Sequence, residues 1–200
     1  MRVHILGTAA AEGWPAQFCE CEACARAAKL GGKNIRTRAA TLIDETTLVD
    51  CGPDLYMQAL RAGASLSRIN HMLITHAHMD HFTLETLFLR KPPFAHIARQ
   101  EPMIVYGSAD VAKACAVLSL PGHELPGVRF VQAHAFEPVK IDDGTATPLP
   151  ALHDRNQECF IYLIEKGGKR MLYGHDTNDF PAKTLAALAG MHLDFAMLDC

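Results

Sequence analysis

The order of apolar and polar positions predicts many short strands with a few helices between them. Val3, Ile5 and Leu6 mark a first strand that Gly7 ends. Residues 7–40 then lose the strand pattern and become rich in Ala, Gly and Cys. They read as a long loop with one helical turn near 22–30, and a loop of that length carries a function or a tether. Residues 41–44 and 47–50 read as a hairpin, followed by the turn at Gly52-Pro53 and a helix over 54–62. A short apolar run at 72–75 fits a buried strand, and it leads directly into a cluster of histidines. A helix is expected at 83–90, a proline-containing loop at 91–102, a strand at 103–106 and a helix at 110–118. Strands follow at 128–131, 139–141 and 145–149. A hairpin spans 159–165 and 170–173 around Lys166-Gly167-Gly168, and a helix at 181–189 begins on Pro181. Residues 193–198 form the last strand. This mixture predicts an α/β fold of two sheets packed face to face with helices outside. No fixed-period repeat or low-complexity segment interrupts it.

Composition changes the picture little. Of 200 residues, 49% are hydrophobic and 20% charged, as in a globular protein able to bury a core. One domain over 1–200 is expected, with a Cys-rich loop near 13–30. A formal net charge of −3 argues against a polyanion-binding surface, so nucleic acid is a disfavoured partner. The N-terminal apolar stretch is too short for a secretory signal, and no 18-residue apolar run predicts a membrane span. The cytoplasm is the expected location. In a reducing compartment, seven cysteines point to metal binding or buried thiols rather than disulfides.

The chemistry concentrates in His76-Ala77-His78-Met79-Asp80-His81. His76 and His78 are two residues apart, so on an extended segment both imidazoles face one side and can share a metal. Asp80 and His81 are adjacent and can face a neighbouring ion. The spacing therefore favours two metals, and such a pair can activate water and clamp a phosphoryl or carbonyl group. The motif arises by chance in roughly 0.002 of chains of this composition, a low false-positive risk. His153 and Asp176 each follow a predicted strand, as His76 does. His153 can complete the first site and Asp176 can bridge both ions; His175 competes with Asp176 as a ligand. Three thiols at Cys19, Cys21 and Cys24 have the spacing to hold a structural zinc, which would also order the long loop. Cys51, Cys115 and Cys159 stand in apolar surroundings and read as buried thiols.

Taken in order, His76, His78, Asp80, His81, His153 and Asp176 resemble the metallo-β-lactamase superfamily over essentially the whole chain. The resemblance implies a four-layer αββα sandwich with two catalytic zinc or manganese ions at one edge. It also implies a further active-site His after another strand. None follows His192, and His192 precedes the last strand. That ligand is expected past Cys200, and the chain reads as C-terminally truncated. Gly7-Thr8-Ala9-Ala10 and the Cys run are similar to the phosphonate-degrading cyclic phosphodiesterases of the superfamily, and to its pyrroloquinoline-quinone biosynthesis branch. In the phosphodiesterases a late His completes the structural zinc site. The implied activity is hydrolysis of a small cyclic phosphodiester, with Asp80 binding one metal and orienting the attacking water. Arg36 and Arg38 are candidate phosphate contacts. Lactonase, thioesterase or RNA-processing nuclease activity on the same scaffold, or a non-catalytic metal-binding carrier role, are the alternatives. A homodimer is compatible with all of these.

Overall fold

The computed structural model describes residues 1–98, 101–120, 122, 124, 125 and 127–199. Cys200, at the expected point of truncation, lies outside the described residues. Among the described residues, eleven strands form two sheets. In the first, β1 (Val3–Gly7), β2 (Ala40–Ile43), β3 (Thr47–Val49), β4 (His71–Leu73), β5 (Met103–Gly107) and β6 (Val128–Gln132) lie side by side in chain order. The β1–β2–β3 pairs are antiparallel and the β3–β4–β5–β6 pairs parallel. The second sheet contains β7 (Val139–Ile141), β8 (Gly144–Pro150), β9 (Phe160–Lys166), β10 (Lys169–Gly174) and β11 (Phe195–Leu198). Its order is β11-β10-β9-β8-β7, antiparallel except for the β10–β11 pair.

Period-2 alternation makes the layers. On β9, Phe160, Tyr162 and Ile164 point into the space between the sheets, where they meet Ile43, Val49 and Leu73. The intervening Ile161 and Leu163 join an outer cluster with Leu188 of α5 (Ala182–Leu188). On the first sheet, Leu42, Leu48, Met72 and Val105 face the opposite way, onto Leu55 and Val111. Those two residues belong to α2 (Leu55–Ala62) and α4 (Ala109–Cys115). Both sheets thus bury both faces, giving four layers, αββα. Among the described residues, no helix is long and apolar enough to cross a membrane.

The expected helix at 83–90 shrinks to α3 (Glu85–Phe88). Its expected start is drawn into an extended bridge, in which the Thr83 N–H donates to the Cys51 carbonyl at 2.7 Å. The long loop carries α1 (Glu22–Leu30) and is stitched at its base by the bridges Ala9↔Arg38 and Trp14↔Arg36. Cys51, Cys115 and Cys159 are buried free thiols, as their surroundings suggested.

Candidate metal centre

Three strands running in the same sense deliver the site. The chain leaves β4 at Leu73 and reaches His76 three residues later. It leaves β8 at Pro150 before His153, and β10 at Gly174 before Asp176. The end of β4 is pinned to the second sheet: the Phe160 N–H donates to the Thr75 carbonyl at 2.8 Å, and the Tyr162 hydroxyl to the Ile74 carbonyl at 3.0 Å.

Beyond β4 the histidine run is a tight turn. The N–H groups of His81 and Phe82 both donate to the His78 carbonyl, at 3.0 and 2.8 Å. The turn docks on the segment after β3, where the Cys51 N–H donates to the His81 carbonyl at 2.7 Å. Gly52 permits this approach, because a Cβ there would stand 2.0 Å from the Asp80 carbonyl oxygen.

Six predicted residues converge. His76, His78 and His153 present one nitrogen each, all within 4.8 Å of one another. The His78 Nδ1 lies 2.9 Å from His76 Nε2 and 3.2 Å from His153 Nε2. His76, His81 and Asp176 form a second such group. Asp176 Oδ2 is 2.5 Å from His81 Nε2 and 4.0 Å from His76 Nε2, and Asp80 Oδ2 is 3.2 Å from His81 Nε2. His76 is shared by the two groups, and Asp176 completes the second from backbone with a positive φ of 51°.

The electrostatics fit a cation. Burial, followed by the nearby positive His81, lowers the His76 pKa to about 4, which keeps that imidazole in the neutral, ligating form. Burial alone would lower the pKa of His81 as well. Asp50, Asp176 and Asp80 outweigh burial and push it up to about 12. A proton on His81 answers the negative charge of these carboxylates. Asp176 is depressed to about 2: burial opposes this, but the His81, His76 and His153 imidazoles prevail. A site that retains a positive charge among carboxylates, beside the neutral imidazole of His76, has the donor set of a divalent metal centre.

Several supporting residues carry no signal in the sequence. Asp50, fully buried at the end of β3 with φ 64°, accepts from the Thr75 N–H and hydroxyl at 2.9 and 3.0 Å. It also contacts His81 Nδ1 at 2.8 Å and the Tyr173 hydroxyl at 3.4 Å. Asp199 holds His175 Nδ1 at 3.0 Å and also accepts from the Asp176 N–H. His175 stands outside both groups of candidate ligands. An isolated Asp after a strand looks like any turn acid, and only the fold brings these acids to the histidines.

The two candidate arginines part company. Arg38 is 12% exposed, makes two contacts to Asp54 at 2.9 and 3.1 Å, and donates through Nε to the Ala11 carbonyl. That is a structural tie between the long loop and the start of α2. Arg36 lines a cavity of about 490 Å³ with Thr8, His175, Asp176 and Asp199. It also lines an adjoining groove of about 520 Å³ with Thr8 and Arg61.

The three Cys sulfurs also converge, within 4.8 Å of one another. Cys21 is the N-cap of α1, and its sulfur accepts from the Cys24 N–H at 3.5 Å. That N–H, then the Cys19 thiol, lowers the Cys21 pKa to about 7, towards the thiolate a metal requires.

Comparison with known proteins agrees with the architecture. The family described as "Beta-lactamase superfamily domain" matches residues 45–200. An octanoyltransferase of Porphyromonas gingivalis is 36% identical over 98% of this chain, which spans only 38% of that protein. A ribonuclease Z of Bradyrhizobium diazoefficiens is 41% identical over 49 residues, 23% of this chain and 16% of that protein. Among solved structures, zinc-bound PqqB from Methylobacterium extorquens has a TM-score of 0.78 at 22% identity, covering 100% of this chain and 72% of that one. A diphosphatase from the PhnP family has a TM-score of 0.73 at 23% identity, covering 97% and 71% respectively. At these identities the structural likenesses speak for the fold alone.

Proposed function

The chain belongs to the beta-lactamase superfamily, and from that premise we propose that it is a metal-dependent hydrolase of small phosphodiesters. The observation that supports this most is the pair of donor groups that share His76, the second of them including Asp176. His76, His78 and His153 would hold one ion, Asp80 and His81 the other, and Asp176 would bridge them. Zinc or manganese so held would supply Lewis acidity and lower the pKa of water to about 7.

The chain's own residues do the rest. The Asp80 carboxylate, whose Oδ2 lies 3.2 Å from His81 Nε2, orients the attacking water. Burial raises the Asp80 pKa, but His81 outweighs it and keeps the group ionised. Arg36, at the cavity wall beside Asp176, binds a non-bridging phosphate oxygen, for which a guanidinium fork is suited. Buried apolar neighbours limit bulk water around His76 and His81 and so strengthen every charge interaction there. Cys19, Cys21 and Cys24 would hold a structural zinc, which would order the long loop.

The test is hydrolysis of bis(p-nitrophenyl) phosphate before and after chelator treatment, with zinc or manganese restored. Loss on chelation and recovery on metal addition is the expected result. A metal-loaded enzyme that ignores this substrate but cleaves a lactone or thioester overturns the phosphodiesterase reading. The identity with part of an octanoyltransferase favours acyl thioester hydrolysis as the second reading, and an octanoyl thioester belongs in the same assay. A metal-binding carrier on the same fold is the remaining alternative. Metal content separates these: about three zincs per chain supports the hydrolase, and about one, held by the cysteines, supports the carrier.

A further inference from the structure

The imidazoles of the cluster differ in what holds them from behind. His76 and His81 are each 1% exposed, and their outer nitrogens meet Thr75 Oγ1 at 3.0 Å and Asp50 Oδ2 at 2.8 Å. Burial and a buried oxygen together fix those rings. His78 is different, because its side chain is 39% exposed. Packing alone leaves such a ring free to turn over and exchange its two nitrogens.

One short loop prevents this. His78 Nε2 lies 3.1 Å from Asp154 Oδ2, on the side of the ring away from His76 and His153. The other oxygen of Asp154 accepts from the Asn156 N–H and side-chain amide at 2.9 and 3.0 Å. Gln157 completes the arrangement. Its Nε2 donates to Asp154 Oδ2 at 3.1 Å, and its Oε1 accepts from the Ala77 N–H at 2.8 Å. The amide therefore joins the histidine turn, at the residue between His76 and His78, to the loop that carries His153. The loop is itself fastened to α4, where Asp110 Oδ2 accepts from the Glu158 N–H at 2.7 Å.

We propose that Asp154, held in place by Gln157, is the positioning residue for His78. A carboxylate only accepts, so it requires a proton on His78 Nε2. That leaves Nδ1 bare and aimed at His76 Nε2 and His153 Nε2. The same loop thus supplies the third imidazole and sets the tautomer of the second. Outer-sphere carboxylates of this kind commonly change metal affinity 10–100-fold.

This inference rests on His78 being a metal ligand, and its test reads metal binding rather than turnover. In Asp154→Asn, the amide can turn its N–H₂ towards His78 Nε2, which favours the opposite tautomer with the proton on Nδ1. Zinc affinity, measured by competition with a chromophoric chelator at fixed pH, should fall about 10–100-fold. The cobalt-substituted protein should show an altered visible spectrum. Gln157→Ala should weaken zinc less, and Asp154→Glu should recover part of the loss. Nitrogen-15 NMR of the metal-free protein should find the His78 proton on Nε2 in the parent and on Nδ1 in Asp154→Asn. An Asp154→Asn protein with parental zinc affinity and cobalt spectrum overturns the positioning role alone. A parent that binds no metal at these histidines overturns the metal centre, and the positioning role with it.

Discussion

At the scale of single residues, chemistry written into the sequence and chemistry assigned by the fold are easy to tell apart. Arg36 and Arg38 are two positions apart in Ile35-Arg36-Thr37-Arg38, and nothing local distinguishes them. The fold gives Arg38 a partly buried carboxylate at Asp54 and leaves Arg36 on the cavity beside Asp176. Their alanine variants should therefore fail differently. Arg38→Ala removes charged hydrogen bonds and strands Asp54, which should cost roughly 1–3 kcal/mol in urea unfolding. Arg36→Ala should leave unfolding within about 0.5 kcal/mol of the parent. It should instead raise KM for a phosphodiester about tenfold, the effect of losing about 1.4 kcal/mol of binding. If Arg36→Ala destabilises the protein and leaves KM unchanged, Arg36 is a structural residue too.

Among the elements, the turns after β3 and β4 matter more than the strands that lead to them. The Cys51 N–H and carbonyl bond the His81 carbonyl and the Thr83 N–H, so the two segments pair like strands across the base of the site. Gly52 sits where that pairing leaves no space, 2.0 Å from the Asp80 carbonyl for any added Cβ. Gly52→Ala should force the histidine turn outward. The expected cost is about 3 kcal/mol or more in denaturant unfolding, with zinc binding lost even where the variant folds. A stable variant with parental zinc affinity would mean that the histidine turn tolerates displacement. The same pairing explains why α3 is shorter than its sequence pattern predicted: Thr83 and its neighbours are committed to Cys51 before the helix can begin.

Across the whole molecule, the two ends of the sandwich do opposite work. The histidines gather at the end where β4, β8 and β10 finish. At the other end Lys166, 9% exposed, meets Asp44 at 3.3 Å, Asp142 at 3.4 Å and Asp143 at 3.1 Å. Asp44 lies between β2 and β3, and the other two acids between β7 and β8, so this cation ties one sheet to the other. Asp142 also accepts from Thr46 and Asn70, the residues just before β3 and β4 of the first sheet. Burial alone would lower the Lys166 pKa, but Asp143, Asp142 and Asp44 outweigh it and raise it. Burial would raise both Asp44 and Asp142. The Arg2 N–H and Lys166 outweigh it at Asp44, and Thr46, Asn70, His71 and Lys166 at Asp142, so both are lowered.

The two signs define a pH window. Depressed carboxylates stabilise the fold above their ordinary pKa near ~3.9 and lose that contribution as pH falls through their folded values. The raised lysine contributes fully below its ordinary pKa near ~10.4 and loses its contribution as pH rises through its folded value. Lys166→Met should cost about 2 kcal/mol near neutrality, with solvent around the half-exposed acids keeping the loss at that level. The drop in Tm between about pH 5 and pH 3 should be smaller in the variant than in the parent. Equal acid sensitivity would show that the acids draw little from this lysine.

Much of the protein is legible in its sequence. The apolar run within 159–165 and the pattern at 41–44 locate strands, and the short run at 72–75 reads as a buried one. His76-x-His78-x-Asp80-His81 is local enough for its spacing alone to indicate metal chemistry. Short-range order of this kind is set by backbone period and side-chain type, both of which are written along the chain. The partners of that motif are another matter. That Asp50 backs His81 across 31 residues, that Asp154 backs His78 across 76, and that Arg38 belongs to Asp54 follow from strand order and sheet packing. A lone acid or arginine carries no periodicity to read, and its role is decided by which strand end the fold brings beside it.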